Sequence, residues 1–153
     1  MAGQRSMVKP VNKIVLDSQN LHIQTMKVEN ATTMYAGRLV MKGTNDDDMV
    51  VNTGATAIGW LGYEQTTKKY RPATVDTIYV VDSQAAMISG PGIVLVASLA
   101  GGVTAVKGTP LTYAPSGELT GGVVGTDHIY AIAEQSVTTT GATSADCLVR
   151  SLI

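Results

Sequence analysis

The second half of the chain is built from short apolar runs set between glycine- and proline-bearing turns: PGIVLVASL (91–99), VKGTPLTYAPSGEL (106–119), IYAIAEQSV (129–137) and CLVRSLI (147–153). Runs of this length, bounded by turn formers, predict strands rather than helices. GIVLVA has no polar alternation, which predicts a strand covered on both faces. Gly90-Pro91-Gly92 and Ala100-Gly101-Gly102 predict turns at its two ends. Within 106–119, Lys107-Gly108 and Pro115-Ser116-Gly117 bracket TPLTYA and predict strand, turn and strand.

Earlier in the chain, YAGRLVMKG (35–43), MVVNTG (49–54) and AIGWLGY (57–63) predict three more short strands, with Asn45-Asp46-Asp47-Asp48 as a polar turn. TIYVVD (77–82) alternates, with Ile78 and Val80 on one face and Tyr79 and Val81 on the other. Strongly amphipathic helices are missing; EQTTKKY (64–70) or DSQAAMI (82–88) supply one helical turn or two. The pattern predicts a mainly β fold, a small barrel or sandwich.

Residues 1–33 have another texture. They mix Gln, Asn, Lys, Ser and Met with isolated apolar positions, contain no glycine after Gly3, and sustain neither helical nor strand periodicity. This predicts an extended N-terminal arm over 1–33, followed by a barrel-like domain over 34–153. An extended segment can add as a strand to an exposed sheet edge. Met7, Lys9 and Val11 would then face one way, and Val8 and Asn12 the other. The alternative for residues 1–12 is a disordered terminus.

Composition narrows the function. The 153 residues carry a net charge of −1, and only 15% are charged, so no chain-wide field favours nucleic acid or an anionic membrane. The basic end is the amino terminus, where Arg5, Lys9, Lys13 and Lys27 stand against Asp17 and Glu29. Phe is absent and Trp60 is the one tryptophan, so the core must be packed with aliphatic residues, Met and Tyr. Cys147 stands alone. That excludes an internal disulfide framework, argues against a cysteine-based zinc site, and predicts a small buried hydrophobe. No apolar h-region follows the start MAGQRSMVKP, and no segment approaches the roughly 18 apolar residues of a membrane span.

Catalytic patterns fail on geometry. Asp127 and His128 are neighbours in sequence and on a strand would point to opposite faces, unable to pair as in a triad. His128 reads as a turn or strand-edge residue, and His22 falls in the expected arm. Asp46, Asp47 and Asp48 suggest calcium, yet calcium loops space their ligands at alternate positions and close with a glutamate, so a solvated acidic turn is expected, with weak calcium binding left open. GGVTAVKGT (101–109) lacks the Gly-Lys-Ser/Thr of a phosphate loop. Asn30-Ala31-Thr32 is a glycosylation sequon without a secretory signal. Lys68, Lys69 and Arg71 beside Tyr70 read as a solvated loop rather than a nucleic-acid contact.

One succession of segments resembles a known family. A polar arm, a strand AGRLV (36–40), GWLG (59–62), GIVLVA (92–97), the hairpin KGTPLTYAPSGEL (107–119), AIAEQSV (131–137) and a C-terminal strand are similar, over roughly 35–153, to the head decoration (cement) proteins of tailed double-stranded DNA viruses of the lambda type. The resemblance implies a β-barrel or β-tulip-like domain on the outer capsid surface of the virion, made in the host cytoplasm. It implies a homotrimer at local three-fold sites that cements neighbouring copies of the major capsid protein, with no enzymatic activity, cofactor, metal, nucleic acid or membrane partner. The arm residues that would dock on the capsid are Arg5, Met7, Val8, Lys9, Pro10, Val11, Asn12, Lys13 and Ile14. Trp60 and Tyr63, flanked by glycines, are candidates for a subunit interface, the alternative being that Trp60 is the central core residue of a Phe-free domain. A head-fibre base, a tail protein or a carbohydrate-binding β-module are the other readings.

Overall fold

The computed structural model describes Pro10 and residues 12–153. Thirteen strands and one turn of 3-10 helix (Pro115–Gly117) make up the regular structure of the described residues: β1 (Val15–Asp17), β2 (His22–Val28), β3 (Leu39–Lys42), β4 (Asp48–Val51), β5 (Gly59–Leu61), β6 (Gln84–Ser89), β7 (Val94–Leu99), β8 (Thr104–Ala105), β9 (Pro110–Tyr113), β10 (Leu119–Gly121), β11 (Ala131–Ala133), β12 (Val137–Thr138) and β13 (Ala145–Ser151). The fold is mainly β, as the sequence predicts.

The strands form two barrel-like sheets. One is a closed barrel in the order β2-β4-β3-β5-β6, antiparallel except for the β2–β4 pair. The other runs β1-β7-β10-β9-β11-β13, and β13 also pairs with β7, so five of its strands return on themselves with β1 attached to β7. A two-stranded ribbon of β8 and β12 completes the sheets.

Two cores lie on either side of a shared wall, β3-β5-β6. Because side chains alternate across a strand, Leu39, Trp60, Ala86 and Ile88 face one core while Val40, Leu61, Ala85 and Met87 face the other. The first core is completed from the second sheet by Ile93, Leu95, Ala97, Leu99, Leu111, Leu119, Cys147 and Val149. The second core fills the closed barrel, where Met26, Met34, Met49 and Met87 surround Leu61 and Tyr79. This double burial explains why 84–89, with no polar alternation, is a strand and not the helical turn that DSQAAMI suggests.

Close backbone approaches lock the two sheets together. Gly117, at φ +74°, donates its N–H to the Asn52 carbonyl at 2.9 Å, and a Cβ there would lie 2.6 Å from the Leu39 carbonyl oxygen. Arg38 Nη1 donates to the Ser116 carbonyl at 2.8 Å. The PSG turn thus latches the 106–119 hairpin onto the closed barrel.

Two expectations are corrected. Residues 15–17 and 22–28, placed in an extended arm ending at 33, are strands of the two sheets, and Ile14, Val15, Met26 and Val28 are buried. Their apolar positions are too sparse to show a period, but each is matched to a core already formed by later strands. TIYVVD (77–82) is a loop and not a strand, since both edges of β6 are taken by β2 and β5. Tyr79 alone enters the core, donating its hydroxyl to the Gly62 carbonyl at 2.7 Å and meeting Thr66 Oγ1 at 2.8 Å. Val81, expected on the same face, is 47% exposed.

Trp60 is fully buried, and its Nε1 donates to Ser151 Oγ on β13 at 2.9 Å, joining the wall to the second sheet. Trp60→Ala is expected to destabilise the fold by about 3–5 kcal/mol. Ser151→Ala, which leaves the indole N–H without its partner, is expected to cost about 1–3 kcal/mol. Urea unfolding followed by circular dichroism measures both, and equal stability of Trp60→Ala and the parent chain would contradict the wall's role.

Candidate functional site

Among the described residues no group of three or more His, Cys, Asp or Glu is placed to hold a metal ion, so the surfaces able to meet a partner become the candidate site. The first is the root of the N-terminal segment. Glu64 Oε2 accepts hydrogen bonds from the N–H groups of Ile14 (2.9 Å) and Val15 (3.1 Å), and the Ile14 side chain is fully buried. Glu64 is itself held by its neighbours: Arg71 Nη2 donates to the Glu64 carbonyl at 2.9 Å and to that of Thr66 at 2.8 Å, and its guanidinium lies over the Tyr63 ring. Among the expected docking residues, Ile14 is therefore a core anchor. Asn12 and Lys13 are exposed and Pro10 is half-buried. Arg5, Met7, Val8, Lys9 and Val11 lie outside the described residues.

The second expected surface, around Trp60 and Tyr63, is corrected. Trp60 is 0% and Tyr63 3% exposed, so neither ring offers surface to another chain, and both belong to the first core. Tyr63 also donates its hydroxyl to the Pro72 carbonyl at 2.8 Å. In a chain without Phe, the largest rings are needed inside, and that demand decides their position.

A surface that sequence reasoning missed lies on the 69–83 loop. Ile78, Val80 and Val81 are exposed beside Tyr70 and Pro72 along an open groove of about 530 Å³. Its signal in the sequence is the apolar alternation of TIYVVD, which by itself predicts a strand. In the basic cluster, Arg71 is committed to backbone carbonyls, while Lys68 and Lys69 remain exposed, Lys69 lying over the Tyr70 ring. A further exposed apolar tip, Val123-Val124, stands between Gly122 and Gly125.

The remaining chemical candidates are scattered. Asp127 Oδ2 accepts from the Val123 N–H at 2.8 Å and His128 stacks against Tyr130, both in a loop and not on a strand. His22 is exposed at the start of β2. The acidic run divides: Asp46 is exposed, whereas Asp48 is buried, 3.3 Å from Lys27 Nζ and bonded to Asn45 Nδ2 at 2.7 Å. Burial pushes the Asp48 carboxyl up, but the Asn45 and Lys27 bonds outweigh it and hold the group below the usual carboxylate range. Its turn inward breaks up the trio that suggested calcium. Among the described residues, no helix is long and apolar enough to cross a membrane.

Cys147 is buried, as expected, and burial pushes its thiol up to about 11. Burial likewise pushes the Tyr79 hydroxyl up to about 12, against the opposing pull of its Thr66 hydrogen bond.

No family model and no curated protein matches the sequence. Among solved structures, the fold is similar to the N base of the head fibre protein gp8.5 of bacteriophage phi29, with a TM-score of 0.52 and 12% sequence identity over 87% of this chain and 98% of that one. At this identity the likeness is one of fold.

Two measurements follow. Glu64→Ala leaves the Ile14 and Val15 N–H groups without their acceptor and is expected to cost about 1–3 kcal/mol, with faster proteolysis ahead of β1; unchanged stability and cleavage would deny the anchoring role. For the two raised groups the sign is the same, since the unfolded chain releases their protons at lower pH than the folded one. Stability is therefore expected to hold below the ordinary thiol value of 9.0 and to fall as pH rises toward 11, which thermal melts across that range will register.

Proposed function

We propose that this chain is a non-enzymatic structural protein of a bacteriophage head. In this reading it decorates the outer capsid surface as a trimer, bridges neighbouring copies of the major capsid protein, and uses its basic N-terminal segment as a connector. The observation that carries the reading is the fold likeness to the phi29 head-fibre N base, which spans nearly the whole of both chains. The family resemblance in the segment order 35–153 points to the same location from sequence.

The architecture suits that role. Both hydrophobic cores are complete within one chain, so the unit is able to fold before it meets a lattice. Its most exposed apolar loop positions include Val80, Val123 and Val124, while Leu16 and Ile23 are exposed on strands. Several modest contacts per oligomer, each across a seam between capsid subunits, would add through effective concentration rather than through one strong site. A base for a head fibre is the second reading, favoured by the name of the structural neighbour. The two differ in copy number.

Quantitative mass spectrometry of purified virions, with the major capsid protein as internal standard, tests the assignment. Near-stoichiometric copies are expected for decoration, a few copies would favour the fibre base, and absence from the virion would overturn both. Removal of residues 1–12 is expected to weaken attachment while the fold remains, because the Glu64 anchor at Ile14 is retained; a cut placed beyond Ile14 would remove a core side chain and test stability instead.

A further inference from the structure

Strand β2 has an unfinished edge. It pairs with β6 along His22–Lys27, but with β4 only at Lys27 and Val28. Donor directions alternate along a strand, and here they are fixed by two observations: the Lys27 N–H points to the Asp47 carbonyl on the β4 side, and the Val28 N–H points to the Ser83 carbonyl on the β6 side. Counting back, the N–H and C=O groups of Ile23 and Thr25 point to the β4 side, where among the described residues no strand lies beside them. His22, Ile23, Gln24 and Thr25 are all exposed, and the Ile23 side chain is 54% exposed.

Sheet edges of this kind are normally blunted by proline, lysine, a bulge or a covering loop, because an open row of donors and acceptors recruits another strand. The segment His22–Thr25 contains neither proline nor lysine, and its register with β6 is continuous. The outer side of β1 gives a contrast, since the N–H groups at its start are covered by Glu64.

We propose that this open edge receives residues 4–9 of a second copy of the chain as an added strand. Length, charge and side-chain pattern argue for that occupant. Gln4–Lys9 is an unbroken run of six residues between Gly3 and Pro10, enough to cover the four-residue edge, and Pro10 has no N–H with which to continue the ladder. Arg5 and Lys9 have no acidic residue for company anywhere in 1–12, while the end of the open edge abuts the exposed Asp46-Asp47 turn. With Val8 on the face where Ile23 is exposed, its apolar side chain covers that residue, and Met7, which shares alternate positions with Arg5 and Lys9, turns to the other face. The contact is head-to-tail: each copy donates one segment and accepts one, and three such contacts related by rotation close a ring. The proposal concerns copies of this chain only, so its failure leaves the head assignment standing, and the reverse is also true.

Amide hydrogen exchange on the full chain reads the proposal directly. Ile23 and Thr25 are expected to exchange freely in dilute solution and to slow by about tenfold or more over a roughly hundredfold rise in concentration, while Gln24 and Met26, bonded to β6, stay slow throughout. A mixture of V8C chains and I23C chains, mildly oxidised, is expected to give the mixed disulfide-linked pair in excess over either like pair. Protection that does not depend on concentration would assign the edge to the chain's own segment and overturn the proposal. Absence of both protection and the mixed pair would overturn it as well, as would protection gained only when capsid protein is added.

Discussion

The burial of β3, β5 and β6 on both faces is the constraint from which the rest of the structure follows. A strand with one wet face can slip by a residue at modest cost, whereas one buried on both faces has no acceptable neighbouring register. Trp60 fixes this wall most firmly. Its ring fills the first core, its backbone pairs with Leu39 and Ile88, and its N–H reaches Ser151 near the far end of the chain. A residue from the first half thereby finds its partner ninety-one positions later, and the two sheets become one folding unit.

Around that unit, local devices decide which segments stay attached. Glu64 gathers the start of β1, Arg71 gathers the loop that carries Glu64, and Tyr63 supports Arg71 from beneath. The chain of contacts explains why the basic cluster at 68–71 does not behave as a patch. One of its three cations is an internal brace, with Nε and Nη2 donating to the carbonyls of Glu64 and Thr66. The PSG turn works in the same way at the other seam, where only a glycine permits the backbone of one sheet to touch the other.

Much of the β-framework was legible in the sequence because each run carried its own boundaries. The turns at 100–102 and 115–117, the strands around 94–99, 110–113 and 131–133, and the burial of Cys147 all follow from local pattern. What was not legible depended on distant partners. Ile14 and Val15 look like any apolar pair in a polar terminus until Val96 and Glu64 are in place. TIYVVD has a strand's alternation but finds both edges of the adjoining β6 taken by β2 and β5, and DSQAAMI has a helix former's composition but a wall to complete. The location of Trp60 depends on distant partners in the same way, since local sequence does not show whether glycines flank a ring to expose it or to let two backbones close over it. The open edge of β2 is a property of which strands pair, and it leaves no mark in the residues themselves.

Four of the nine buried residues in the closed barrel's interior are methionines, Met26, Met34, Met49 and Met87, packed in one core with Tyr79. Unbranched and polarizable, these side chains fill an irregular space without demanding one rotamer, which suits a barrel of short strands. The same choice makes the barrel's integrity a matter of redox history. While closed, it shields the sulfurs; a single opening in the presence of peroxide would convert them to polar sulfoxides that no longer pack, and the barrel could not close again as it was. Such a protein would age by chemistry rather than by melting, and its oldest copies would fail first on the side of the methionine core.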